Sequence, residues 1–387
     1  MFEHSSIDLG ILKKRAYNLR WATVPEGVIP LTAADPDFPC APEIADAVMA
    51  YTRDRYLCYT PPAGMPEFRN AMAEFFTTRR AIHCDPSLIF PVDSAASGIY
   101  ITCRAFLAPG DEAIIFDPVD FLFRYSVEAV GATAIPFAIP QNCDAVDFEK
   151  LETLITPATR MLCLCNPLNP TGKVFTRQEL MQFAAIADKH DLIILSDEIW
   201  SDIIFAPHSF TSIASISPEI AKRTVTVTGF SKSYGLAGLR IGAVMAGTTT
   251  HFDRLMEASL HNATIHGANV LGQVAATTAL TKCGPWLSEF VSHLTDMRDI
   301  CVSGLNQIPG FTCVAPEGCY VAFANISGTG KTSKEVADHI LETAKVAVVP
   351  GLPQWFGSGA EGFIRLSFAT SATILQDALS RIKNSVG

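Results

Sequence analysis

"RMLCLCNPLNPTGKVFTRQELMQFAAIADKHDLIILSD", residues 160–197, holds the unit on which the fold reading turns. Its first six residues, 160–165, are an apolar run. Cys163 and Cys165 stand two apart in it, so both thiols fall on one face of an extended strand. In the middle, over 177–191, Leu180, Phe183, Ala184 and Ala187 recur at helical spacing and form one apolar face. The end, 192–197, is a second apolar run closed by a carboxylate. Strand, turn, helix and strand in that order specify parallel strands joined by a crossover helix.

The same alternation extends in both directions. "SLIFPV" (87–92) leads into a helical pattern through Phe106, and "EAIIF" (112–116) precedes another around 121–130. "TVTVT" (224–228) and "IGAVMAG" (241–247) continue the strands. Apolar strands separated by helices imply an α/β fold, a mostly parallel sheet sandwiched by helices. After a long helical region, about 252–306, the pattern changes. "GCYVAFANI" (318–326), "VAVVPG" (346–351) and "GFIRLSFA" (362–369) read as strands, with helices at 333–344 and 371–383. The expected division is an N-terminal arm joined to part of a small domain (1–45), a large domain (46–285) and a smaller α+β domain (286–387).

Composition narrows the function classes. The chain has 387 residues, 49% of them apolar, and a net charge of −10, so a sizeable core is feasible. No Lys/Arg run interleaved with aromatics is present, which argues against nucleic acid as a partner. No apolar stretch approaches about 18 residues, so no membrane span is expected. The start lacks the basic-then-apolar order of a signal peptide, and 11 scattered cysteines read as reduced thiols, so the expected location is cytoplasmic. Cys163 and Cys165 have no second close pair to complete a zinc site, and no metal is expected.

In sheets of this kind ligands gather at the carboxyl ends of the strands. Asn166 and Asn169 follow one strand end, Asp197 closes another, and Lys232, in "TGFSKSYGLAGLRIG" (228–242), follows a third. A lysine at its ordinary pKa is protonated; burial lowers that pKa and permits imine chemistry with a carbonyl. The plain alternative is a solvated loop lysine. Asp197, delivered by an apolar strand, needs a cationic partner such as a pyridinium nitrogen, unless it only caps a helix. "CNPLNPTGK" (165–173) is a rigid turn that presents the Asn169 amide. "VDSAASGIY" (92–100) opens a helix whose free N–H groups favour an anion, without a P-loop glycine pattern. Arg365, in the apolar strand "FIRLSFA", suits a carboxylate partner, unless that strand is an outward-facing edge.

Together these segments resemble the fold-type I pyridoxal-phosphate (PLP) enzymes of the class I/II aminotransferase family. "NPLNPTG", "SDEIW", "GFSKSYGLAGLRIG" and "IRLSFA" occur in the family's order, and the resemblance runs nearly end to end. It implies pyridoxal 5'-phosphate as cofactor, an L-amino acid as substrate, a keto-acid acceptor if the reaction is transamination, and a homodimer with shared active sites. By resemblance, Lys232 forms the internal aldimine and shuttles the Cα proton through a quinonoid. Asp197 pairs with the pyridine N–H, and Asn169 hydrogen-bonds the ring's 3-oxygen. Arg240, Ser231 and the amides of Ala95 and Ala96 hold the phosphate. Arg365 takes the substrate α-carboxylate, and Tyr59 reaches the neighbouring subunit's cofactor phosphate.

Three positions depart from the family's pattern. Gly229 stands where a phosphate-binding hydroxyl is often found. Trp200 replaces a tyrosine beside the cofactor, and an indole donates a hydrogen bond but cannot accept one. In "DPVDFLFRY" (117–125) Asp120 occupies the place of an aromatic that stacks on the ring. Either Phe121 or Phe123 does the stacking, or the carboxylate meets a cationic substrate group or acts as an acid/base.

Two reactions compete. "NPTGK" and "GLAGLRIG", with Arg240, point to an aminotransferase, the favoured reading. "PLTAADPDF" and "SDEIWSD" resemble the cystathionine β-lyase-like C–S lyases, which work by β-elimination. A specialised biosynthetic enzyme performing replacement or cyclisation fits the three departures. From another class, a non-catalytic PLP-binding protein shares the fold.

Overall fold

The computed structural model describes residues 1–140 and 145–386; Cys143 lies outside them. Seven strands form the main sheet: β2 (Ile89–Val92), β3 (Glu112–Asp117), β4 (Thr133–Ala138), β5 (Thr159–Cys165), β6 (Ile193–Asp197), β7 (Thr224–Gly229) and β8 (Gly242–Ala246), after a short β1 (Ile29–Pro30). Their order is β2-β8-β7-β6-β5-β3-β4. The run from β7 to β4 is parallel, while β8 is antiparallel to both β7 and β2.

Helices cover both faces, so β2, β7 and β8 are buried along their whole length. That is why β2 and β8 read as apolar runs, while β7 alternates valine with threonine and is buried all the same. The helix Arg177–Lys189 shows how one cover forms. Thr176 and Glu179 make a reciprocal capping box at its start, and Leu180, Phe183, Ala184, Ile186 and Ala187 face inward.

The helical region read over 252–306 is broken. It comprises Thr249–Ser259, Val270–Lys282 and Gly284–Leu305, with a π-helical turn at His261–Ile265. Beyond it, β9 (Val321–Asn325), β11 (Val349–Pro350) and β12 (Phe363–Ser367) form an antiparallel sheet, with β12 in the middle. β10 (Val346–Ala347) instead pairs parallel with β1, tying the N-terminal segment to the C-terminal elements.

β4 was not anticipated from the sequence. It is an edge strand, half exposed, with Pro136 in its run. Edge strands tolerate proline and need little apolar patterning, so the signal is weak there.

Candidate active site

Four neighbouring strands each deliver one polar side chain to a single cavity of about 420 Å³. β3 leads to Asp120, β5 to Asn169, β6 ends in Asp197, and β7 leads to Lys232. Pairing of Cys165 with Asp197, and of Asp197 with Val227, keeps the strand ends level.

Asn169 is fixed by the turn that carries it. Leu168 N–H donates to the Lys173 carbonyl at 2.8 Å, and Gly172 N–H donates to the Leu168 carbonyl at 2.7 Å. Gly172 has φ +75°, and a Cβ there would stand 2.3 Å from the Pro316 Cβ. Its carbonyl accepts the amides of Glu317 and Gly318. Only glycine meets both demands, which locks the turn against the segment leading to β9.

The amide of Asn169 bridges two charges. Its Nδ2 donates to Asp120 Oδ2 at 2.8 Å, and its Oδ1 accepts Arg365 Nη1 at 3.1 Å. Arg365 Nη2 donates to the Thr32 carbonyl at 3.2 Å, while its Nε is buried with no partner among the described residues. A buried guanidinium with spare N–H groups calls for an anion.

Lys232 Nζ donates to the Ala34 carbonyl at 2.6 Å and stands 5.2 Å from the centre of the Trp200 ring. Burial pushes the Lys232 pKa down, against the opposing charge of Asp35. Asp197 is 7% exposed and accepts the Ile199 amide at 3.0 Å. Burial pushes its carboxyl up to about 7. A carboxylate so placed is costly to ionise without a positive partner. Trp200 is buried and packs edge-on against Tyr320, whose hydroxyl donates to the same Ala34 carbonyl at 3.1 Å.

The helix Ala95–Phe106 also begins at the cavity wall. Ser94 caps it by accepting the Ser97 amide, and the first-turn amides of Ala95 and Ala96 have no intrahelical acceptor. Ser231 and Arg240 line the same cavity. Arg240 is exposed and forms no carboxylate pair among the described residues.

Every site residue named from the sequence lines this cavity except Tyr59 and Asn166, whose amide instead bonds the Thr211 carbonyl and the Phe175 N–H. Tyr59 is 88% exposed and lies beside His266, in a separate surface depression. Sequence reading gave no role to the Ala34 and Thr32 carbonyls, to Tyr320, or to Trp355 and Phe356, which also line or support the cavity. "PLTAADPDF" marked the first two as a motif; backbone carbonyls carry no side-chain signature beyond that.

A family-wide profile described as aminotransferase class I and II matches residues 26–382. The chain belongs to the class I and II aminotransferases. The aspartate aminotransferase of Pyrococcus horikoshii is 31% identical over 366 residues, covering 93% of this chain and 91% of the relative. The cystathionine β-lyase PatB of Bacillus subtilis is 30% identical over 363 residues, covering 92% of each. The crystal structure of a PLP-bound chain from Clostridium difficile overlays with a TM-score of 0.91 at 25% identity, over 100% of both chains.

Aminotransferases of this family work with pyridoxal 5'-phosphate, and the cavity fits that cofactor. An unpaired carboxylate suits the ring nitrogen, a reachable amine suits its carbonyl, and open helix amides beside Arg240 suit its phosphate. Gly229 does not fill the place of a side chain. A Cβ there would meet only ordinary contacts, at 3.5 Å from Ile199 and 3.6 Å from the Ala95 amide. The missing hydroxyl is therefore a choice of residue and no steric necessity.

Proposed function

We propose that this aminotransferase moves the amino group of an L-amino acid to a keto-acid acceptor, with Lys232 as its catalytic base. The observation that carries the reading is one cavity holding a half-buried lysine with a lowered pKa together with Asp197, Asn169 and Arg365. Bound there, pyridoxal phosphate would supply a carbonyl carbon that takes up the amino group and a cationic ring that draws electrons from Cα. Asp197 would hold the ring nitrogen's proton, and Asn169 would hold the ring by a hydrogen bond. Arg240, Ser231 and the amides of Ala95 and Ala96 anchor the phosphate. Trp200 forms the wall behind Lys232 and excludes water. Arg365 binds the α-carboxylate with its spare N–H groups and so orients the Cα–H bond. The Lys232 amine, whose pKa burial lowers, would take the Cα proton and hand it back.

The same reading places the division at 1–45, 46–285 and 286–387, with the cavity between the two main units. It takes the molecule as a homodimer with shared active sites. It also takes the location as cytoplasmic, supported by ten described cysteines that are all free. No helix among the described residues is long and apolar enough to cross a membrane.

The competing outcome is β-elimination. The test supplies a panel of amino acids and cystathionine, with and without a keto acid. Amino transfer that depends on the acceptor is expected. Pyruvate and thiol released from cystathionine without any acceptor would replace the aminotransferase reading with the lyase one.

A further inference from the structure

Among the described residues, the charged ones lining the cavity are Asp120, Asp197, Lys232, Arg240 and Arg365. Under the aminotransferase reading, four of them have a counterpart. The ring nitrogen answers Asp197, the cofactor carbonyl Lys232, the phosphate Arg240, and the substrate α-carboxylate Arg365. Asp120 alone is left over. Its nearest positive neighbours, Arg365 and Lys232, are the two that the substrate and cofactor engage.

Asp120 is also held firmly in place. Its backbone N–H donates to the Asn169 carbonyl at 3.2 Å. One carboxylate oxygen accepts the Asn169 amide at 2.8 Å, and the other accepts the Leu122 N–H at 3.3 Å. On either side the chain is joined to the segment before β12: Val119 N–H donates to the Phe356 carbonyl, and Phe121 N–H to the Trp355 carbonyl, both at 2.9 Å. These joins set aromatic rings around the carboxylate. Phe121 and Trp355 pack edge-to-face at 5.5 Å and are 38% and 37% exposed, and Phe356 already carries the Arg365 guanidinium 5.1 Å from its ring centre. A fixed carboxylate in a cavity also lined by Phe121, Trp355 and Phe356 is suited to an organic cation.

We propose that Asp120 determines specificity, and that the substrate is an amino acid whose side chain carries a second positive charge, an ammonium or guanidinium group. The proposal rests on the aminotransferase reading. Asp120 binds this charge once Arg365 has taken the α-carboxylate. It also selects against substrates with an acidic side chain, which would bring like charges together.

The test compares matched substrates that differ by the charge: ornithine with norvaline, lysine with norleucine, arginine with citrulline. The ratio of kcat/KM within a pair is measured for the holoenzyme and for Asp120→Asn, a substitution that keeps the shape. At least one pair should favour the cation in the native enzyme, and that ratio should fall about tenfold or more in the variant. Binding is read separately from the change in cofactor absorbance on titration with α-methylornithine and α-methylnorvaline, which lack a Cα proton. The preference for the former should weaken in Asp120→Asn. Ratios at or below one in all three pairs of the native enzyme, or a ratio unchanged by the substitution, would overturn the assignment. A chain that takes up no pyridoxal phosphate would instead overturn the parent reading, and this one with it.

Discussion

Asp197 and Glu198 are adjacent carboxyls, both buried, and burial pushes each up to about 7. They differ in what surrounds them. Glu198 is served on one side by hydroxyls: Ser212 and Ser196 both donate to its Oε1, while its Oε2 is buried with no partner among the described residues. Asp197 faces the cavity, with the Ile199 amide as its only donor among the described residues. The unfolded chain releases these protons near 3.8 for Asp197 and 4.5 for Glu198, while the folded protein keeps them until about 7. Between those values the unfolded state binds fewer protons than the folded one, so stability falls as pH rises through the window. The contribution is whole below the unfolded pKa values and gone once pH passes the folded ones. Bound pyridoxal phosphate gives Asp197 a positive partner and removes its share; Glu198 keeps its own. In the cofactor-free protein, a plot of melting temperature from pH 5 to pH 8 should decline less steeply for Asp197→Asn than for the native chain. The difference is at most one proton, about 1.4 kcal/mol per pH unit. Parallel curves would show that Asp197 is ionised in the folded state without help.

The segment Thr32–Asp37 acts as one element although it has no regular structure. It gives the Ala34 carbonyl to Lys232 and the Thr32 carbonyl to Arg365, so it aims two of the three basic side chains of the site. Arg20, 2% exposed, holds it from behind. One guanidinium nitrogen donates to the carbonyls of Pro30 and Ala33, the other pairs with Asp37, and Trp21 Nε1 donates to the same carboxylate at 2.6 Å. Removing one side of a buried pair leaves the other charge uncompensated, at a cost of about 3–5 kcal/mol. Arg20→Met should therefore lower the denaturation midpoint and raise KM for the amino acid, as Arg365 loses its set position. Arg20→Met combined with Asp37→Leu should recover stability more than KM. Equal recovery of both would assign Arg20 a purely structural role. Nothing in the sequence flagged this element beyond "PLTAADPDF", because it works through carbonyls, which every residue has. Legibility followed chemistry elsewhere too. The turn 166–173, the Asp197 strand end and the Lys232 loop were readable because asparagine, proline, glycine and lysine have few reasons to sit beyond apolar strands. β4 was unreadable because an exposed edge imposes no pattern. Trp355 and Phe356 were unreadable because an aromatic pair near a turn has too many ordinary explanations.

At the scale of the whole molecule, one surface is unlike the rest. Tyr56, Leu57 and Tyr59 are 77%, 61% and 88% exposed in a single short stretch. Beside them lies a depression lined by Asp93 and residues 265–270, and Ile265 is 50% exposed. Large apolar side chains clustered in the open mark an interaction surface. The depression is continuous in sequence with the cavity, since Asp93 and Ser94 are neighbours and Ser94 caps the helix Ala95–Phe106. A second copy of the chain seated here by a two-fold axis would bring Tyr59 toward the partner's helix start, and the partner's Tyr59 toward this one. Two consequences can be measured together. The protein should run as a dimer in analytical ultracentrifugation. Tyr59→Ala and Lys232→Ala should each be impaired alone, the second completely. When the two variants are unfolded, mixed and refolded, half of the dimers are hybrids, and each hybrid holds one site with both native residues. Activity should then return to about a quarter of the native level, as statistical pairing of two-fold symmetric subunits requires. A monomer in solution, or mixtures with only about half the activity of the Tyr59→Ala protein, would confine Tyr59 to its own surface and leave the phosphate to Arg240, Ser231 and the helix amides.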